Sequence, residues 1–187
     1  MTIDQIFDFI SPLPEESKQL LKKLIVEVRF PKGYILFRAG RIEKNVYFIK
    51  QGLVRAFSKT EDDETNFWFG KEGDIVISMK SYVLNQKGYE DIELLEDSVL
   101  YELNTLKLQR LFNQDIHIAN WGRKLAEISL VKTEERLISQ QFLTATDRYK
   151  ELLKNRPDLL QRVQLRHIAS YLGITQVSLS RIRAELK

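Results

Sequence analysis

Between residues 25 and 103 apolar side chains recur at every second position, and beyond Leu103 they recur at helical spacing. Short strands must therefore precede a run of helices, an order that specifies an α+β fold rather than an alternating α/β one. Val26, Val28 and Phe30 alternate with charged residues, as do Val46 and Phe48, and then Leu53 and Phe57 with Arg55 between them. Turn signals fall at Pro31-Lys32-Gly33, Ala39-Gly40, Gln51-Gly52, Glu61-Asp62-Asp63-Glu64, Gly73-Asp74 and Lys87-Gly88. Strands this short and this regularly interrupted predict an antiparallel sandwich or barrel. The acidic run reads as a solvated hairpin tip. As paired catalytic carboxylates it lacks any accompanying base or metal ligand.

Helical spacing flanks the strands on both sides. Ile6, Phe9 and Ile10, then Leu20, Leu21 and Leu24, mark two N-terminal segments broken by Ser11-Pro12-Leu13-Pro14. From Gln114 to Leu143 there is no proline, and Gly122 is the only glycine. Ile118, Trp121, Leu125 and Ile128 step by three, four and three, which is an a/d seam. Val131, Glu135, Ile138 and Phe142 continue it after a local shift of register. A helix this long, ~45 Å, overhangs a small barrel and leaves the seam Ile118, Trp121, Leu125 and Ile128 for a second copy of the chain. Trp121 has a ligand-stacking role as its alternative. Thr144, with Asp147 three residues on, caps a further helix that ends at Asn155-Arg156-Pro157.

Composition narrows the function classes. The 187 residues include no cysteine and only two histidines, His117 and His167. Disulfides, thiolate metal sites and cysteine nucleophiles are excluded, and no multi-histidine metal site is expected. No Walker loop, nucleophile elbow or zinc motif is present, so the chain reads as a non-enzyme without a cofactor. No apolar run is long enough for a membrane helix and the N-terminus does not resemble a signal peptide, so a cytoplasmic location is expected. Charge is uneven. Residues 1–113 hold 16 basic against 18 acidic side chains, residues 114–143 four of each, and residues 144–187 nine against four. A basic end on a faintly acidic body suits a polyanionic partner.

That basic end has a recognisable layout. Leu165, Ile168, Ala169 and Leu172 make the inner face of one helix, Gly173 turns the chain, and Ile174 plugs the core. Thr175 caps a second helix whose inner face is Val177 or Ser178, then Leu179, Ile182 and Leu186. Gln176, Ser180, Arg181 and Arg183 point outward, a helix-turn-helix arrangement with a polar reading face. Arginine grips guanine O6 and N7 as a fork, glutamine grips adenine, and hydroxyls reach phosphates or bases.

The order and spacing of several segments now carry a family resemblance. They are Phe30-Pro31-Lys32-Gly33, Phe37-Arg38-Ala39-Gly40, Val46 to Gly52, Gly73-Asp74-Ile75, Phe142-Leu143-Thr144, Ile168 to Thr175 and Leu179-Ser180-Arg181-Ile182. Together the chain resembles Crp–Fnr transcription regulators, the group typified by the cyclic-AMP receptor protein, along nearly its whole length. The resemblance implies an N-terminal antiparallel double-stranded β-helix, or jelly roll, with flanking helices over residues 1–113. It implies a long dimerisation helix over 114–143 and a C-terminal helix-turn-helix domain over 144–187, without a full wing within this sequence. It implies a homodimeric DNA-binding regulator on a near-palindromic operator, with RNA polymerase and a small-molecule effector as further partners. By position, Gln176, Val177, Ser180 and Arg181 fall where relatives read bases, and Arg166, Thr175 and Ser178 where they hold phosphates. Val177 stands where many relatives carry a glutamate that accepts from cytosine, which shifts the expected operator away from theirs.

The family's nucleotide signature pairs a glutamate with a downstream arginine that holds the cyclic phosphate. Ser78 falls near the glutamate position, Gly88 or Tyr89 at the arginine position, and Glu90 and Asp91 follow. Cyclic-nucleotide binding in the usual mode is therefore not expected, and Ser78, Tyr89 and Thr133 are the candidates for an effector pocket of another kind. The alternative reading is a ligand-binding or protein-interaction module with a degenerate cyclic-nucleotide domain and a relic helix-turn-helix.

Overall fold

Thr2 starts the first helix, α1 (Ile3–Ile10), by accepting the backbone N–H of Gln5, whose side chain accepts the Thr2 N–H in return. The computed structural model describes residues 1–60 and 63–186, so Glu61 and Asp62 of the acidic run lie outside the described residues. Helix α1 stops at Ser11, before Pro12, and α2 (Glu15–Lys22) follows Pro14 with Glu15 and Glu16 in its first turn. Among the described residues eight strands come next: β1 (Ile25–Phe30), β2 (Ile35–Phe37), β3 (Asn45–Gln51), β4 (Val54–Lys59), β5 (Glu64–Gly70), β6 (Ile75–Val76), β7 (Asp91–Leu94) and β8 (Ser98–Asn104), with a short helix α3 (Met79–Leu84) after β6. They form two four-stranded sheets, β1-β8-β3-β6 and β2-β7-β4-β5, and every pairing is antiparallel. The period-two pattern predicts an antiparallel sandwich or barrel, and the two packed sheets are the β-roll that the family resemblance implies.

Strand β3 is buried on both faces. Tyr47 and Ile49 face the second sheet, in a core with Phe37, Val54, Ile92 and Leu100. Val46 and Phe48 face outward from the roll but meet helices, in a core with Ile6, Phe7, Leu21 and Leu103. The β3–β4 turn needs Gly52. Its φ is +122°, and a Cβ there would fall 2.2 Å from the Ser98 hydroxyl oxygen.

The helices α4 (Thr105–Gln114) and α5 (Ile116–Phe142) follow the roll. Asp115 caps α5 by accepting the N–H groups of His117 and Ile118, and the Ser17 hydroxyl donates to its other oxygen. Here the structure corrects the predicted seam. Ile118 and Trp121 are 0% and 2% exposed, and Leu125 and Ile128 pack beside them against the same core as α1 and β3. The regular spacing that suggested a dimer contact belongs to the side of α5 that lies on the β-roll. The indole of Trp121 donates to the Phe7 carbonyl and its ring is buried against Phe7 and Phe48, which replaces the ligand-stacking alternative. Apart from Ile116 in the first turn, the exposed large apolar residues of α5 come later: Leu130, Val131, Leu137, Ile138 and Phe142.

Thr144 accepts the Asp147 N–H and starts α6 (Ala145–Asn155), and Pro157 opens α7 (Pro157–Arg162). The last two helices are α8 (Leu165–Tyr171) and α9 (Gln176–Glu185). Leu53 and Phe69 of the β-roll share one core with Tyr149, Leu152, Ile168 and Leu179, so the C-terminal helices are docked on the roll.

Candidate nucleic-acid interface

Gly173 makes the turn between α8 and α9 with φ +69°. Its N–H returns to the Ser170 carbonyl and that of Ile174 to the Ala169 carbonyl, each at 3.0 Å, which closes α8 and redirects the chain. Thr175 Oγ1 then accepts the Ser178 N–H at 3.1 Å and starts α9. Ile168, Ala169 and Leu172 from α8 meet Leu179 and Ile182 from α9 in the shared core. Of the alternatives Val177 and Ser178 for that inner face, the half-buried one is Ser178, and Leu186 lies outside it. Val177 is 62% and Leu186 41% exposed. Val177 stands two residues from Leu179, which at 100° per residue puts it on the far side of the helix.

The outer face of α9 is solvent-exposed at Gln176, Val177, Ser180 and Arg181. These are the four base-reading candidates, brought onto one helix surface. Ser180 donates back to the Gln176 carbonyl at 3.0 Å. Of the phosphate candidates, Arg166 is exposed on α8. The Thr175 and Ser178 hydroxyl oxygens lie 3.0 Å apart at the start of α9, where the helix dipole favours an anion.

A polar cluster that the sequence pattern did not single out lies where α8 meets the roll. Arg55 on β4 is 5% exposed, and its Nε donates to Glu93 on β7 at 2.7 Å. Its Nη1 faces three acceptors: Glu64 Oε1 and Asn66 Oδ1 on β5, and His167 Nδ1 on α8 at 2.9 Å. Burial raises the Glu64 carboxyl, but the hydrogen bond and charge of Arg55 outweigh it and hold the group below the ordinary carboxylate value. Burial, then the positive charges of Arg55 and Arg166, hold the His167 imidazole below its usual value. Strand β5 is an edge strand, and Ser170 covers it. Its hydroxyl accepts the Asn66 N–H at 2.9 Å and donates to the Glu64 carbonyl at 2.8 Å. Arg162 adds a fork to both Glu72 and Glu96, at 2.7–3.1 Å. The only signals in the sequence were an arginine among the alternating apolar positions and one of two histidines.

The effector candidates are not gathered into one pocket. Ser78 is 2% exposed, and its hydroxyl has no hydrogen-bond partner among the described residues. Tyr89 is 59% exposed and lies against Phe67, and Thr133 is exposed on α5, bonded to the Ser129 carbonyl. A Cβ on Gly88 would lie 2.8 Å from the Ser78 hydroxyl and 3.0 Å from Glu90 Oε1, so position 88 has no room for a long cation. Glu90 is 7% exposed, and burial, reinforced by the Glu90 charge, holds the Glu43 carboxyl above its ordinary value.

Residues 27–115 match the family model described as the cyclic nucleotide-binding domain. No curated protein sequence gives a significant match to the chain. Among solved structures, FixK2 from Bradyrhizobium japonicum matches with a TM-score of 0.73 at 19% identity, over 87% of this chain and 84% of that one. The c-di-GMP-responsive global regulator CLP from Xanthomonas campestris matches with a TM-score of 0.70 at 21% identity, over 92% and 91%. A protein from Eubacterium rectale assigned to the Crp/Fnr family of transcriptional regulators matches with a TM-score of 0.74 at 14% identity, over 95% and 85%. Residues 27–115 thus form a cyclic nucleotide-binding-type domain, within a chain that has the overall fold of the Crp/Fnr transcription regulators.

Proposed function

We propose that the chain is a sequence-specific, duplex-DNA-binding regulator of transcription that acts as a homodimer. The observation that carries this reading is the division of α9. Leu179 and Ile182 are consumed by the core, while polar Gln176, Ser180 and Arg181 and apolar Val177 form one exposed face at the basic end of the chain. Arg181 is assigned to a guanine, Val177 to a thymine methyl, and Arg166, Thr175 and Ser178 to phosphates. The dimer contact is assigned to the later half of α5. Leu130 and Leu137, like Val131 and Ile138, are seven residues apart and 49–70% exposed, which suits packing against a second copy. Two α9 helices held this way should read half-sites centred about 34 Å apart, one turn of the duplex.

The carboxylates around Gly88 favour an effector other than a cyclic nucleotide. Selection of bound sites from a random duplex pool by the full chain tests the proposal. A near-palindromic motif supports it, and recovery of no enriched sequence defeats it. One observation favours the competing reading as an interaction module: Arg166 and Gln176 share a groove with the carboxylates of Asp63 and Glu64. On that reading the selection fails and the groove has another occupant.

A further inference from the structure

Arg55 and His167 are 112 residues apart in sequence, yet they meet through a bond whose direction is fixed by chemistry. A guanidinium has donors and no acceptor, so His167 Nδ1 must hold a lone pair and the imidazole must be neutral, with its proton on Nε2. Protonation of Nδ1 would remove the acceptor and place a cation 2.9 Å from another. The roll loses little by this. Nη1 of Arg55 has two hydrogens for three acceptors, and Glu64 and Asn66 still take both. What is lost is a bond between the roll and α8.

We propose that Arg55, Glu64 and His167 form a proton-operated latch, which strengthens the docking of α8 and α9 on the β-roll while His167 is neutral and loosens it when His167 is protonated. The groups that face the imidazole are Arg55 on β4, Glu64 on β5, Glu93 on β7 and Arg166 on α8 itself. The two cations oppose protonation and the two carboxylates favour it. Glu64 Oε1 lies 3.6 Å from Nδ1, but it already accepts from Arg55. Burial adds to the cations, so the docked form disfavours the proton relative to a solvated histidine. The sign follows: the latch is closed above the ordinary histidine value of 6.5 and weakens as the pH falls below it.

Release has a consequence for binding. The latch sits in a groove of about 670 Å3 lined by Asp63 and Glu64 on one side and by Arg166, Thr175 and Gln176 on the other. A duplex phosphate that approaches Arg166 in the docked form meets those carboxylates, and undocking removes them. This consequence rests on the DNA-binding reading above, whereas the latch itself does not.

Two measurements on the full chain without DNA test the latch. Imidazole 15N shifts at about pH 7.5 report the tautomer, and a proton on Nδ1 would overturn the proposal outright. Amide exchange in β5 and α8, corrected for intrinsic rates, is then followed from about pH 7.5 to about pH 5.5. Protection should fall about fivefold or more in the wild type, and by less than about twofold in His167→Asn, whose Oδ1 stands two bonds from Cβ as Nδ1 does, accepts from Arg55 and does not titrate. Equal loss in both chains, or none in the wild type, rejects the latch. Duplex affinity should rise with the same pH dependence. Should no duplex bind at any pH while exchange still follows His167, the latch stands and the DNA-binding reading falls.

Discussion

Trp121 meets Phe7 twice: its indole N–H donates to the Phe7 carbonyl at 3.1 Å, and its ring crosses the Phe7 ring at 81° with centroids 5.4 Å apart. This joins α5 to α1 across the outer face of the first sheet, beside Phe48. Trp121→Ala removes a 2%-exposed side chain from that junction and should cost about 3–5 kcal/mol of unfolding free energy. Trp121→Phe should cost about 1–2 kcal/mol, because the Phe7 carbonyl keeps the Ser11 N–H as a partner. Urea denaturation of the two variants checks this, and equal losses would show that the hydrogen bond rather than the packing dominates.

If the later half of α5 is the dimer contact, charge placed on Leu130 and Leu137 should separate the copies without unfolding either. Both leucines are more than half exposed, so Leu130→Glu with Leu137→Glu should change monomer stability by less than about 0.5 kcal/mol. Light scattering should then give the mass of one chain where the wild type gives two. Duplex affinity should fall by about a hundredfold or more, since two half-sites are no longer engaged together. Loss of the wild-type dimer on substitution of Ile128 instead would return the contact to the earlier seam.

Helix periodicity was legible in the sequence wherever a single side chain decides the local backbone. Thr144, Gly173 and Thr175 stand at the caps and the turn they predict, because a capping hydroxyl or a positive φ depends on neighbours within a few residues. The partner of a helix face was not legible. Ile118, Trp121, Leu125 and Ile128 have the spacing of a seam whether the other side is a second chain or the same chain's β-roll. Val46 to Ile49 shows the same gap, since alternation cannot reveal that both faces of β3 are covered. The cluster of Arg55 and His167 escaped because a pairing across 112 residues leaves no periodic trace.

Arg162 joins α7 to the roll through forks to Glu72 and Glu96, and burial and those bonds act oppositely on Glu72. Burial raises its carboxyl, while Arg162 and the Gly52 N–H outweigh this and hold it below 4.5. A lowered carboxylate stabilises the docked form above its ordinary value and ceases to do so as the pH falls through the lowered one. Docking should therefore weaken a second time below about pH 4.5, separately from the step near the histidine range. Arg162→Lys keeps the charge and loses the fork. With these groups about one-third exposed, it should cost about 0.5–1.5 kcal/mol and remove most of the low-pH step, as read by amide exchange in α7.

Arg181 and Arg166 are both exposed cations near the end of the chain, and salt dependence separates their assigned roles. A base-edge fork gives discrimination at one position, so Arg181→Ala should cost about 1–3 kcal/mol on the selected operator and flatten preference at a single base pair. It should do much less on random duplex. A phosphate contact gives affinity without sequence, so Arg166→Ala should weaken selected and random duplexes alike. The slope of log affinity against log salt should become shallower by about one unit for Arg166→Ala, because one fewer counterion is released. Gel-shift titrations at four salt concentrations measure both quantities. An unchanged slope for Arg166→Ala would remove it from the phosphate set, and uniform weakening by Arg181→Ala would move that residue from the base edges to the backbone.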